Sequence, residues 1–111
     1  MSNVESAIKL ITDTIVDTGN PKKIILFGSQ ARGDADEDSD IDIMIVEDSD
    51  LPRHKRALKY SKIIRAKMRE SIGSLPMDII VFTPDEFESW KDVKQSLVGS
   101  AIEEGKVIYV S

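Results

Sequence analysis

The stretch 40–46 constrains the fold most. Ile41, Ile43 and Ile45 alternate there with Asp40, Asp42 and Met44, and a period of two belongs to a strand whose two faces differ. One face is apolar, and the other begins with two carboxylates. Such a strand needs partners, and the apolar runs at 24–27, 77–82 and 107–110 supply them.

Helical signals lie between these runs. Ser2 and Glu5 have capping-box spacing, and Val4, Ile8, Ile11 and Ile15 recur every three to four residues, which predicts an amphipathic helix ending near Gly19 and Pro21. The small polar stretch 30–39 suits a helical turn and a loop. Pro52 opens a predicted helix to about Ser71, with Ala57, Tyr60, Ile64 and Met68 facing inward, and Gly73 and Pro76 end it. Thr83 and Pro84 have the residue types of an N-cap and first helical position. A last helix, carrying Val93, Leu97 and Ile102, runs to about Glu104 and stops at Gly105. The order predicts an α+β layered fold, a small mixed sheet with helices packed on it. One domain is expected over residues 1–111.

At 111 residues, a compact chain hides roughly two thirds of its unfolded surface, enough for one core. The chain has no cysteine, so thiolate metal sites, cysteine catalysis and disulfides are excluded. Its apolar runs fall far short of the roughly 20 residues of a membrane span, and no secretory signal is legible at the N-terminus. A cytoplasmic location without membrane partners is expected.

The formal charge of -5 argues against general nucleic-acid binding, but it averages two segregated blocks. Between Arg32 and Arg53 lie nine acids and no base: Asp34, Asp36, Glu37, Asp38, Asp40, Asp42, Glu47, Asp48 and Asp50. From Arg53 to Arg69 come eight bases and no acid: Arg53, Lys55, Arg56, Lys59, Lys62, Arg65, Lys67 and Arg69. Function is to be sought where the blocks meet.

Asp40 and Asp42, two apart on a strand, leave one face with alpha carbons roughly 6.5 to 7 Å apart. Asp78, between Met77 and Ile79, opens the next predicted strand, and a strand, helix, strand unit makes those strands neighbours. Three carboxylates then converge. Two of them about 5 Å apart repel by roughly 3 kcal/mol at an effective dielectric near 20, which a divalent cation relieves. Oxygen-only ligands favour Mg2+ or Mn2+ over zinc, and such clusters serve phosphoryl transfer. Gly28 and Ser29, at a strand end, let backbone approach a phosphate closely, and the Ser29 hydroxyl adds a donor. Arg32, one helical turn on, reads as a phosphate contact or as an ion pair with neighbouring acids. The implied ligand is a nucleoside triphosphate with its metal.

The string Phe27-Gly28-Ser29, ten residues, then Asp40-Ile41-Asp42-Ile43 resembles the signature of the DNA polymerase beta-like nucleotidyltransferase superfamily. Gly28-Ser29-Gln30-Ala31-Arg32-Gly33-Asp34 and Asp38-Ser39-Asp40-Ile41-Asp42 are similar to its minimal nucleotidyltransferase antitoxin branch, and Met77-Asp78-Ile79 matches the third-carboxylate strand. The likeness runs along almost the whole chain. It implies that Asp40, Asp42 and Asp78 are catalytic metal ligands, that Asp78 helps activate the acceptor hydroxyl, and that Gly28 and Ser29 hold the triphosphate. It further implies transfer of AMP from ATP to a hydroxyl of a HEPN-domain toxin, the chain being the antitoxin. Tyrosine is the first acceptor to test. The alternatives are a non-catalytic antitoxin that neutralises by binding, and nucleotidylation of a small molecule.

Other motif readings of the segment fail. Gly28 to Gly33 has Walker A spacing but is followed by Asp34 where Lys is needed. The acids from Asp34 onward imitate a calcium loop, with Ser39 at its glycine position. Asp34, Asp36, Glu37, Asp38, Asp48 and Asp50 read as a solvated loop, His54 as solvent-exposed, and Trp90 as core or rim. The basic helix reads as a solvated face, a dock for an acidic partner, or an attractor of triphosphate or RNA.

Overall fold

The computed structural model describes residues 3–36, 39–73 and 75–111. Ser2, Glu37 and Asp38 lie outside them, so the capping pair with Glu5 and two acids of the block are not assigned a structure. The order is α1 (Asn3–Thr18), β1 (Lys23–Phe27), α2 (Ser29–Arg32), β2 (Ile41–Val46), α3 (Arg53–Arg56), α4 (Leu58–Ser71), β3 (Met77–Phe82), α5 (Pro84–Trp90), α6 (Leu97–Glu104) and β4 (Lys106–Val110).

The four strands form a mixed sheet in the order β3-β2-β1-β4. β1 is antiparallel to both neighbours, and β2 is parallel to β3. A parallel pair needs a crossover, here made by α3 and α4. The alternation in β2 sorts its side chains between two apolar layers. Ile41, Ile43 and Ile45 pack with Ile11 and Ile15 of α1 and with Tyr60, Ile64 and Met68 of α4. Met44 and Val46 point the other way, into a layer with Phe82, Phe87, Val98 and Ala101. Each fully buried isoleucine stabilises the fold by about 1.5 to 3 kcal/mol. Asp42 shares the face of Met44 and Val46, so a polar end adjoins an otherwise buried strand.

Two helices differ from the expectation. The predicted helix from Pro52 to Ser71 is divided at Ala57 into α3 and α4. The anchor is Arg56, which is buried rather than outward-facing: its Nε donates to the Leu51 carbonyl at 2.8 Å, and its Nη1 donates to the Val81 carbonyl at 3.2 Å and to Glu86 Oε1 at 2.6 Å. These bonds draw α3 onto β3. At the start of α5, Thr83 Oγ1 accepts from the Glu86 N–H at 3.3 Å and Glu86 Oε1 accepts from the Thr83 N–H at 2.9 Å. The expected cap at Thr83 and Pro84 therefore forms, and its glutamate also holds Arg56.

The last helix turns a different face inward. Val98, Gly99 and Ala101 of α6 are buried, whereas Leu97 and Ile102 are exposed, as is Val93, which lies in the turns before α6 and not on the helix expected to carry it. A side chain at Gly99 would meet the backbone of Val93 and Lys94, so the small residues set the close approach and the apolar stripe is left outside.

Candidate nucleotide and metal site

The site is built where β1, β2 and β3 lie side by side. In the sheet register Asp42 pairs with Phe27 on one side and with Asp78 on the other, so the two carboxylates stand abreast on parallel strands roughly 5 Å apart at the backbone. That confirms the neighbouring-strand expectation. Asp40 falls just before β2, which begins at Ile41, so the pleat of the sheet does not hold its side chain. Among the described residues no three His, Asp or Glu side chains are gathered closely enough to hold an ion.

Electrostatics still join the three. Burial pushes the Asp42 carboxyl above its ordinary value, the Asp78 and Asp40 charges push it further in the same direction, and Arg32 opposes them. Burial and the two neighbouring carboxylates each disfavour an added negative charge at this polar sheet end, and Arg32 favours it. The donor set is all carboxylate oxygen, the chemistry that suits Mg2+ or Mn2+. The residues thus fit a divalent cation by donor type and charge.

Gly28 follows β1 with φ 74° and ψ −156°, a backbone region that glycine alone enters without strain. A methyl group there would run into Asp42 Oδ2 and lie 3.2 Å from its Cγ. Gly28 is therefore required twice, for its dihedral and for its contact with the carboxylate. The Gly28 carbonyl accepts from the N–H groups of Ala31 and Arg32, both at 3.1 Å, closing the tight turn. Ser29 is half-buried on that turn.

Arg32 takes the ion-pair reading in this structure: Nε bonds Asp34 Oδ2 at 3.2 Å and Nη1 bonds Glu104 Oε2 at 3.1 Å. Asp34, Asp36, Asp48 and Asp50 are exposed, as a solvated acidic segment requires. Asp42 and Asp78 line an open cleft of about 670 Å3, whose wall also includes Phe27, Arg53, His54 and Leu97. His54 is exposed as expected, yet it faces this cleft. Trp90 is an exposed rim residue of an adjoining groove.

Sequence reasoning missed two placements. Arg53, the first base of the basic block, lies in the cleft wall; the junction of the two charge blocks was the only signal for it. Glu47, an acid of the block to which the sequence assigns no role, is buried: it accepts a short hydrogen bond from the Tyr60 hydroxyl, and Lys59 Nζ lies 3.0 Å from its other oxygen. No spacing in the sequence marks that contact, because it joins the residue after β2 to α4.

The nucleotidyltransferase domain, as a family sequence model, matches residues 8–108. A Methanocaldococcus jannaschii protein named "Putative protein adenylyltransferase MJ0604" is 39% identical over 114 residues, covering 96% of this chain and 99% of its own. The fold is shared with the crystal structure of a "toxin-antitoxin with AMP-PNP", at TM-score 0.60 and 22% identity, over 93% of this chain and 73% of that one. It is also shared with "a putative nucleotidyltransferase from Sulfolobus solfataricus", at TM-score 0.58 and 21% identity, over 99% and 88% of the two chains.

Proposed function

The chain belongs to the nucleotidyltransferase domain family, and on that premise we propose that it transfers AMP from ATP to a hydroxyl group on a partner protein, a HEPN-domain toxin, and so acts as an antitoxin. The observation that carries the chemistry is Asp42 standing abreast of Asp78 with Gly28 bare against it. The protein acceptor is supported by the name of the Methanocaldococcus relative, and the toxin partner by the fold shared with a toxin-antitoxin protein.

In this reading the turn at Gly28 and Ser29 receives the distal phosphates through backbone N–H groups and the Ser29 hydroxyl. Asp40, Asp42 and Asp78 would hold Mg2+ or Mn2+, which supplies charge neutralisation and polarisation of the phosphoryl oxygens. The acceptor oxygen attacks the α-phosphorus, the bond to pyrophosphate breaks, and Asp78 takes the hydroxyl proton. Gly28 and Asp78 flank Asp42 on opposite sides across the sheet, which suits an in-line displacement with pyrophosphate leaving on the glycine side.

The test incubates the partner, ATP labelled in the α-phosphate and Mg2+ with the wild type and with Asp40→Ala/Asp42→Ala. Label should pass to the partner with the wild type only. Transfer by both proteins, or by neither, sinks the catalytic reading. A double variant that silences the toxin without transfer shows that binding suffices.

A further inference from the structure

The basic block begins inside the cleft, and its first member is placed unlike the others. Arg56 and Lys59 are committed to Glu86 and Glu47, and outside the block Arg32 is committed to Asp34 and Glu104. Arg53 lines the same cleft as Asp42 and Asp78, yet among the described residues no carboxylate lies within ion-pair distance of it. Its guanidinium instead sits over the Phe82 ring, 4.9 Å from the centroid, a geometry in which the ring face attracts the cation and fixes its plane. Phe82 and Asp78 lie at opposite ends of β3, about 13 Å apart along the strand, so Arg53 and the two carboxylates stand at separate points of one cleft, and an anion that brings its own counter-ion can contact both. The guanidinium fork matches two non-bridging phosphate oxygens, which a lysine ammonium does not.

We propose that Arg53, propped on Phe82, is a phosphate-contacting residue of this site, its guanidinium bonding oxygens of the bound nucleotide from the side opposite the Gly28 and Ser29 turn. This rests on the reading of the cleft as a nucleoside triphosphate site. Arg53 is exposed, so replacing it leaves the core untouched. Calorimetric titrations with AMP-PNP and with inorganic tripolyphosphate, both with Mg2+, compare the wild type, Arg53→Gln, Arg53→Lys and Arg65→Gln. Arg65 is an exposed base on α4, across the sheet from the cleft, and its variant makes the same change of charge.

The expected result is affinity for both ligands weakened about tenfold or more in Arg53→Gln, as for loss of one charge-assisted pair. Arg53→Lys should be intermediate and Arg65→Gln unchanged. Unchanged affinity in Arg53→Gln overturns the proposal and leaves the nucleotide site standing. Equal weakening in Arg65→Gln also overturns it, since diffuse charge then accounts for the effect. A wild type that binds neither ligand overturns the nucleotide reading itself.

Discussion

Gly28 and Asp42 carry opposite lessons about a single side chain. At Gly28 the dihedral is positive and the space for a Cβ is taken by the Asp42 carboxylate. Gly28→Ala should therefore cost about 1 to 3 kcal/mol in backbone strain alone and weaken nucleotide binding; melting curves and AMP-PNP titration check this. At Asp42 the carboxyl is raised by burial and by Asp78 and Asp40, so its ionised form is disfavoured by folding. The sign follows: the cost is full above the folded-state value and absent below the ordinary 3.8. Asp42→Asn should thus stabilise the protein at pH 7, with a gain that vanishes below about pH 3.8, while transfer falls about a hundredfold or more. Denaturant melts at both pH values and a label-transfer assay test the two halves separately. No gain at pH 7 would contradict the electrostatic account.

Among the elements, the joint between α3, β3 and α5 depends on one carboxylate. Glu86 closes the cap with Thr83 and receives the Arg56 guanidinium. The Arg56 hydrogen bond first, and the Thr83 N–H second, hold the Glu86 carboxyl below its ordinary value. Its stabilising contribution is therefore present above about pH 4.5 and lost as the pH falls through the lower folded-state value. Glu86→Gln should lower stability at pH 7 and flatten the acid limb of the stability curve. Because Arg56 also bonds the Val81 and Leu51 carbonyls, Arg56→Ala should be the more damaging change, about 3 kcal/mol or more, and should displace α3 with Arg53 and His54 from the cleft. An acid limb identical to the wild type in Glu86→Gln rules out this coupling.

For the whole molecule, charge segregation along the chain becomes segregation in space. The acids after β1 and at the start of β2 gather at one end of the sheet, whereas the exposed bases of α4 lie on the layer that packs with α1. Only the first turn of the basic block reaches the cleft. A Mg2+ nucleotide should therefore stabilise the fold as a whole. At a hundred times its Kd the gain is about 2.7 kcal/mol, or roughly 10 °C in Tm for a chain of this size. Scanning fluorimetry with ATP should show that rise with Mg2+ and little of it in EDTA. A shift of equal size in EDTA would remove the metal from the site.

Local pattern was enough wherever one segment sufficed to specify the outcome. The alternation around Asp42, the turn residues at Gly28 and the cap at Thr83 act over a few residues, so the strands, their carboxylates and the start of α5 were legible in the chain, as was membership of the family. Tertiary structure decided what depends on contacts far apart in sequence: the break at Ala57, made by Arg56 reaching Val81 and Glu86; the burial of Glu47 under Tyr60; and the inward face of α6, chosen by the fit of Gly99 against Val93. It also decided which arginine meets the cleft. Arg32 and Arg53 carry the same charge at either end of the acidic block, and only packing brings the first to Glu104 and sets the second on Phe82 in the wall of the cleft that Asp42 and Asp78 also line.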